Sequence, residues 1–378
     1  MQDPHQTVLD GLAAKGRLRA LKGRRGLDLT SNDYLGLAES QALARAAAEA
    51  LARGVPLGAG GSRLLRGNHP EHEALEEEAA SFFGHETALY FPTGFAANAA
   101  IAATLPRRGD LIVYDSLIHA SFRDGLEPAR IAAIEAPHND VDAMDAIIKG
   151  WRAAGGPRSN NGRVWIAAET LYSMDGDRAP LADLVALASR HDAMLLLDEA
   201  HATGVYGDQG RGLGAAYEGA ANIISLHTCG KALGAAGALV LMPQLYRDFM
   251  VNRGRAFIYS TAPSPLMAAV VRAALRLCAA AEQERAQLAA LVRQAGEGLK
   301  RLGLAVSGSQ IQPVIVGEDR RAVRLAEALA ARGYDIRAIR PPTVPEDTAR
   351  LRLALTLHVT HAHLDALFAD LEAEMAKL

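Results

Sequence analysis

Short apolar runs alternate with longer amphipathic stretches along most of the chain. Six runs have the length of buried strands, and they cover residues 88–91, 111–114, 164–168, 194–197, 223–226 and 238–242. Alanine- and leucine-rich stretches with helical spacing separate them. This alternation predicts an α/β fold, in which a large domain has a mainly parallel sheet flanked by helices. Catalytic side chains should then lie on loops at the strand ends.

The C-terminal part of the chain has a different pattern. Residues 265–301 have helical apolar spacing with Pro and Gly near the ends, which predicts one long helix that links two domains. Beyond it, residues 311–316 and 351–357 are typical of strands, whereas residues 320–332 and 361–378 are typical of helices. We therefore predict a smaller α+β domain at the C-terminus.

The N-terminal part is rich in positive charge. Residues 11–25 hold six Lys or Arg side chains among Leu and Ala, which predicts a short basic amphipathic helix. Its basic face is either simply solvated or binds phosphates of a substrate. We divide the chain into an N-terminal helical segment (1–40), a large domain (41–264), and a linking helix with a small C-terminal domain (265–378).

Composition narrows the class of protein. Of the 378 residues, 49% are hydrophobic and 22% are charged, which is typical of a globular chain. The 40 basic and 43 acidic side chains give a net charge of -3, so no global attraction favours nucleic acid or an anionic membrane. The two cysteines have no CxxC spacing, and we expect neither a disulfide framework nor a metal site. Without a signal-peptide pattern or an apolar stretch of roughly 18 residues, we expect a cytoplasmic protein with no membrane partner.

Three residues at the ends of predicted strands are candidates for chemistry. Asp198 and His201 follow the run at 194–197, and Lys231 follows the run at 223–226. The letters DEAH at 198–201 also occur in helicase ATPases, but an ATPase needs a G-x-x-x-x-G-K-[ST] phosphate loop, which this sequence lacks. A local interpretation stays open, in which Asp198 caps a helix, His201 is a core residue and Lys231 is solvated.

The spacing of Asp198 and Lys231 favours a shared site. They lie one strand–helix–strand unit apart, so neighbouring strand ends can bring them together. A lysine in a cleft near other cations can form a Schiff base, and a carboxylate can pair with a protonated pyridine nitrogen. These are the protein groups of a pyridoxal phosphate (PLP) site, and we therefore expect PLP as the cofactor.

Six short segments extend this interpretation to most of the chain. They are SNDYLG at 31–36, GGSR at 60–63, TGFAAN at 93–98, SMDGD at 173–177, DEAH at 198–201 and TCGK at 228–231. In this order they resemble the motifs of the α-oxoamine synthases. That family comprises PLP-dependent transferases of fold type I, which condense an amino acid with an acyl thioester and release carbon dioxide. The resemblance also implies a homodimer.

The resemblance implies a role for each matching residue. Lys231 would bind the cofactor covalently and move protons at the amino-acid Cα, while Asp198 would face the pyridine nitrogen and His119 would stack on the ring. The other implied cofactor contacts are Gly94, Phe95, Ser173, His201, Thr228 and Thr261, the last reaching the phosphate in the partner subunit. The implied substrate contacts are Arg352 for the amino-acid carboxylate, Asn32 and Glu169 nearby, and Arg340, Thr343 and Lys22 for the acyl thioester. Arg19 and Arg24 compete with Lys22 for the N-terminal contact.

Two segments near the C-terminus indicate the substrates. IRPPTVP at 339–345 and TARLRL at 348–353 are most like the α-oxoamine synthase that joins L-alanine to a pimeloyl thioester, in the biotin pathway. The sequence leaves open whether coenzyme A or a carrier protein holds the pimeloyl group. Two alternatives also stay open, namely a sister synthase that uses glycine or serine with another acyl-CoA, and a fold type I aminotransferase.

Overall fold

The computed structural model describes residues 3–129, 131–155 and 162–378. The helices are α1 (Pro4–Ala14), α2 (Gln41–Ala52), α3 (Pro70–Phe83), α4 (Gly94–Thr104), α5 (Ala120–Ala129), α6 (Val141–Ala153), α7 (Leu181–Arg190), α8 (Gln244–Arg253), α9 (Arg255–Ile258), α10 (Pro265–Ala280), α11 (Glu282–Arg301), α12 (Asp319–Ala331) and α13 (His361–Met375). The strands are β1 (Leu27–Asp28), β2 (Thr87–Phe91), β3 (Leu111–Asp115), β4 (Ala132–Ala136), β5 (Val164–Glu169), β6 (Met194–Asp198), β7 (Ile223–Thr228), β8 (Ala238–Met242), β9 (Ile311–Gly317), β10 (Tyr334–Asp335), β11 (Ala338–Ile339) and β12 (Ala349–Ala354). Within the described ranges, none of the helices combines the length and the apolar character that crossing a bilayer requires.

The chain forms two compact units. The terminal unit comprises Met1–Tyr34, Ser173–Asp177 and Gln283–Leu378, and the central unit comprises Leu35–Tyr172 and Arg178–Glu282. These limits differ from the predicted boundaries after residues 40 and 264 for two reasons. In the terminal unit β1 pairs with β10, and in the central unit α10 packs on α2 and α3.

The central unit is built on a seven-stranded sheet with the order β2-β8-β7-β6-β5-β3-β4. All neighbouring strands are parallel except β8, which runs antiparallel to both β2 and β7. Successive side chains of a strand point to opposite faces. Thus Trp165 packs with Ile101 on one face, whereas Ile166 packs with Met144 and Leu184 on the other. The predicted α/β fold with a mainly parallel sheet flanked by helices is confirmed.

The antiparallel strand β8 makes the chain around Lys231 a closed turn. The amide of Cys229 donates to the carbonyl of Gly237 (2.8 Å), and the amide of Ala235 donates to the carbonyl of Cys229 (2.8 Å). A third bond joins the amide of Gly234 to the carbonyl of Lys231 (2.9 Å). The backbone of Lys231 is therefore held between two paired strands rather than at the start of a crossover helix.

The terminal unit contains a small antiparallel sheet with the order β11-β12-β9. Helix α12 packs on all three of these strands, and α13 packs on α12. The prediction of a smaller α+β domain is confirmed for this part of the chain.

Two predicted helices have different limits in the structure. The predicted helix at 265–301 is two helices, because the backbone leaves the helical region at Ala281 (φ -84°, ψ 41°), next to the boundary between the two units. The predicted basic helix at 11–25 is wrong. Helix α1 ends at Ala14, and Gly16 adopts a left-handed φ of 67°, which ends a right-handed helix. Most of the basic residues therefore lie in a segment that is neither helix nor strand.

Candidate active site

Acidic side chains end three neighbouring parallel strands of the central unit. Asp115 ends β3, Glu169 ends β5 and Asp198 ends β6. Glu169 and Asp198 are paired in register, and both are buried. Because parallel strands place their carboxyl ends at one edge of the sheet, these side chains mark the edge where ligands bind in such folds.

Asp198 is held by two hydrogen bonds. Asn98 Nδ2 donates to Oδ2 (2.7 Å), and the amide of Ala200 donates to Oδ1 (2.9 Å). Both carboxylate oxygens therefore accept, and the side chain has one fixed orientation. Such a carboxylate can pair with a cationic ring nitrogen.

Lys231 and His201 lie in direct contact. The distance between Lys231 Nζ and His201 Nε2 is 2.8 Å. His201 follows β6 and Lys231 follows β7, so the predicted convergence of neighbouring strand ends is present. An amine acts as a nucleophile only after it loses its proton, and an imidazole nitrogen at this distance can accept that proton.

His119 is the last residue of the loop between β3 and α5. Burial lowers the pKa of His119, and Lys231 lowers it further against the opposing charges of Asp198 and Asp124. The imidazole is therefore neutral at pH 7. Its Nδ1 lies 2.8 Å from Ser121 Oγ.

An anion cradle lies at the start of α4. Thr93 Oγ1 accepts a bond from the amide of Ala96 (3.0 Å), whereas the first two amides, of Gly94 and Phe95, have no acceptor within a helix. A β-carbon added to Gly94 would lie 2.7 Å from Cγ2 of Thr228. The start of α4 therefore combines a residue without a side chain with free backbone amides, and this combination is suited to a phosphate.

These groups fit PLP. The cradle would hold its phosphate, Asp198 its pyridine nitrogen, and Lys231 its aldehyde carbon, while His119 offers a neutral ring for stacking. Phe95 contributes its backbone, and its side chain is half exposed. Thr228 is buried, and its hydroxyl donates to the carbonyl of Ala200 (3.3 Å).

A separate cluster in the terminal unit surrounds Arg352. Its Nε donates to the carbonyl of Ser173 (2.6 Å), and its second guanidinium nitrogen donates to Oδ1 of Asn32 (3.1 Å). The neighbouring Arg350 forms an ion pair with Asp175. Three predicted site residues, Asn32, Ser173 and Arg352, thus meet in one place.

A second basic cluster of the terminal unit contains Arg19, Arg340 and Thr343. Arg19 donates to Thr343 Oγ1 (3.1 Å), and Arg340 donates to the carbonyl of Gly16. Burial lowers the pKa of Arg340, and the like charge of Arg19 lowers it further. Lys22 is exposed, and no contact within the described residues joins it to this cluster. Its role in substrate binding stays a prediction.

Two site residues were not predicted as such. Asn98 and Ser121 are buried and bridge Asp198 and His119. Asn98 stands in the TGFAAN segment, one helical turn after Gly94, which is the one signal that could have revealed it. Ser121 gave no signal, because its contact depends on how α5 packs on α4.

Comparison with known proteins identifies the family. The family model for aminotransferase class I and II matches residues 24–371. A protein from Chromobacterium violaceum named 8-amino-7-oxononanoate synthase is 44% identical over 92% of this chain and 88% of its own length. The chain belongs to the 8-amino-7-oxononanoate synthases. The predicted membership of the α-oxoamine synthase family is thus confirmed.

Solved structures support this membership. An 8-amino-7-oxononanoate synthase from Francisella tularensis has a TM-score of 0.79 and 25% identity, and the match covers 93% of this chain and 98% of that one. A serine palmitoyltransferase from S. paucimobilis, solved with bound PLP, has a TM-score of 0.88 and 26% identity, covering 99% and 97%. The predicted fold type I architecture of the 8-amino-7-oxononanoate synthases is confirmed.

Proposed function

We propose that this enzyme condenses L-alanine with a pimeloyl thioester and releases carbon dioxide, which yields 8-amino-7-oxononanoate and a free thiol carrier. The observation that carries the proposal is the contact of Lys231 Nζ with His201 Nε2 (2.8 Å) at the sheet edge where Asp198 lies, in a chain of this family. The alternative aminotransferase activity has no comparable support from the relatives, which are named as synthases.

The cofactor is PLP, as the family and its PLP-bound structural neighbours show. When bound, PLP supplies an aldehyde for covalent attachment and a protonated ring that withdraws electrons from the attached amino acid. Asp198 holds the proton on the ring nitrogen, because both of its oxygens are oriented by donors. The flat ring of His119 would stack on the bound cofactor and exclude water from it.

Lys231 moves the protons of the reaction. Its amine takes the proton from the alanine Cα and later returns one to the product. His201 lies within hydrogen-bond distance of that amine, so it can hold the proton that the amine must lose before it reacts. Hydrogen bonds close the backbone turn that carries Lys231, so the position from which its side chain reaches the reacting atoms is fixed.

Arg352 is our candidate for the alanine carboxylate. A guanidinium has five N–H donors, and the bonds to Ser173 and Asn32 use two of them. Its planar fork matches a carboxylate. The two bonds fix its orientation, so the carboxylate would be held in one direction relative to Cα until it leaves as carbon dioxide. Glu169 stays a predicted contact near the same substrate.

Arg340, Thr343 and Arg19 are our candidates for the acyl thioester. Two positive side chains beside a hydroxyl suit an anionic substrate, since a bound anion relieves the repulsion between Arg19 and Arg340. Lys22 would contact phosphates of coenzyme A or of a carrier protein at the surface.

We also propose a homodimer in the cytoplasm. Among the described residues of the central unit, eight large apolar side chains are exposed in the single chain, namely Leu51, Leu57, Leu64, Leu65, Phe95, Ile134, Leu245 and Tyr259. Burial of such side chains favours association. The amide of Ala262 donates to the carbonyl of Gly61 (2.9 Å), which fixes Thr261 beside this glycine-rich loop, where it could reach the partner's phosphate. Mass measurement in solution tests the dimer.

Borohydride reduction followed by an activity panel tests the function. We expect the purified protein to absorb visible light, to lose that band on reduction, and to carry the reduced cofactor on Lys231. K231A should keep its fold but show no turnover.

L-Alanine with pimeloyl-CoA or pimeloyl-carrier protein should be preferred over glycine or serine with acetyl, succinyl or palmitoyl thioesters. Preference for one of those pairs would indicate a sister synthase, and exchange of alanine with a keto acid would indicate an aminotransferase.

A further inference from the structure

Four side chains of the central unit form a hydrogen-bonded line. Asn98 Nδ2 lies 2.7 Å from Asp198 Oδ2 and 3.2 Å from Ser121 Oγ. Ser121 Oγ lies 2.8 Å from His119 Nδ1. Asn98 is 6% exposed and Ser121 is fully buried, so water does not compete for these bonds. The line joins the carboxylate and the imidazole that we assign to the cofactor.

The chemistry of the donors fixes the direction of every bond. A carboxylate only accepts, so the NH₂ group of Asn98 must face Asp198, and its second N–H points at Ser121 Oγ. The amide of Ser121 donates to His119 Nδ1 (3.2 Å), and a backbone N–H can only donate. His119 Nδ1 is therefore an acceptor without a proton, and the hydroxyl of Ser121 donates to it as well.

We propose that Asn98 and Ser121 are positioning residues that fix His119 as the neutral imidazole with its proton on Nε2. Two donors converge on Nδ1, and each stabilises the unprotonated nitrogen. The same Asn98 orients Asp198. One amide therefore sets the orientation of the group that faces the pyridine nitrogen and, through Ser121, the protonation of the group that stacks on the ring.

The charged groups near His119 have opposing effects on its pKa. Asp198 and Asp124 favour the imidazolium, whereas Lys231 opposes it, and burial also favours the neutral ring. The two bonds that Ser121 donates to Nδ1 add a further preference for the unprotonated nitrogen. The inference also has a consequence for catalysis, and this consequence rests on the proposed function. A neutral imidazole can stack on a cationic pyridinium, whereas an imidazolium would repel it.

Nitrogen NMR of the histidines in the full-length holoenzyme tests the inference directly. Among the 12 histidines, comparison with H119Q assigns the two ring nitrogens of His119. At pH 7 we expect Nε2 to be protonated and Nδ1 to be unprotonated. A proton on Nδ1, or an imidazolium, in the wild-type protein would overturn the proposal, whether or not any variant folds.

Two variants test the roles of the positioning residues. S121A removes one donor to the neutral ring and should raise the pKa of His119 by up to about one unit, and N98A should raise it less. S225A is the matched control, because it removes the serine that lies 3.0 Å from His227 Nε2 in the same unit. It should leave His119 unchanged. If the pKa of His119 in both S121A and N98A equals that in the wild type, the proposal is contradicted.

The result is independent of the proposed function. The NMR measurement needs no substrate, so failure of the condensation assay leaves the tautomer assignment intact. Conversely, active enzyme with a proton on His119 Nδ1 would reject this inference alone. In the active enzyme, N98A should also shift the visible band of the cofactor, since Asp198 loses a donor, whereas S225A should not.

Discussion

Gly94 and Thr228 are too close to admit another carbon atom between them, since a β-carbon on Gly94 would lie 2.7 Å from Thr228 Cγ2. Overpacking of this kind typically costs about 1–3 kcal/mol. We therefore expect G94A to weaken PLP affinity by about tenfold or more, in titrations of the cofactor-free protein. The double variant G94A/T228S keeps the hydroxyl but lacks the methyl group, and should recover most of the affinity. An equal loss of PLP affinity in G94A and in the double variant would show that the contact between Gly94 and Thr228 does not affect phosphate binding.

Asp198 should be intolerant of an amide. In D198N an NH₂ group must face either Asn98 or the amide of Ala200, both of which donate to the present carboxylate. The variant also cannot hold the pyridine proton. We expect some bound cofactor but a loss of about tenfold to a hundredfold in kcat/KM. D140N is the control, because Asp140 caps α6 and asparagine is an equally good cap. Unchanged kcat/KM in D198N would remove Asp198 from the site.

The basic residues of the terminal unit should differ in salt dependence. R340A should raise the KM for the thioester at every salt concentration, because Arg340 is partly buried, and buried charges are weakly screened. Loss of charge at Lys22, Arg24 and Arg25 should raise this KM at low salt only, with little change in the KM for alanine. R293A, at an exposed position of α11, should change neither constant. If the basic segment is only solvated, its variants will match R293A.

Glu199 should make stability depend on pH. It is fully buried, and burial raises its pKa to about 7 against the opposing influence of His227 and of bonds from Thr170 and Gly214. In the unfolded chain a glutamate ionises near pH 4.3. The folded protein binds the proton more tightly, so this contribution to stability is complete below about pH 4 and is lost as the pH rises to about 7.

Urea unfolding at several pH values measures this effect through E199Q, which cannot ionise. The free energy of unfolding of the wild type should fall relative to that of E199Q between about pH 4 and pH 7. E297Q, at an exposed position of α11, should run parallel to the wild type. Parallel curves for E199Q as well would mean that folding leaves the pKa of Glu199 unchanged.

The sequence predicted the site best where the position of a residue follows from the end of a single strand. The spacing of Asp198 and Lys231 predicted that the ends of β6 and β7 converge, and the contact of His201 with Lys231 shows that they do, because parallel strands end at a common edge. The edge strand β4 was missed because its sequence AAIEA carries a glutamate and four of its five residues are exposed. The line from Asn98 to His119 could not be predicted, since it depends on the packing of α4 against α5. The predicted site roles of Glu169, Thr261 and Lys22 stay predictions.

The three separate pieces of the terminal unit have a consequence for biosynthesis. Leu27 pairs with Tyr334, so the first strand leaves the ribosome about 300 residues before its partner. The central unit is complete once Glu282 has emerged and can fold while synthesis continues. Asn32 and Ser173 must wait for Arg352, which lies in the last segment to be made. A nascent chain stalled before β12 should therefore bind PLP before it can grip a carboxylate.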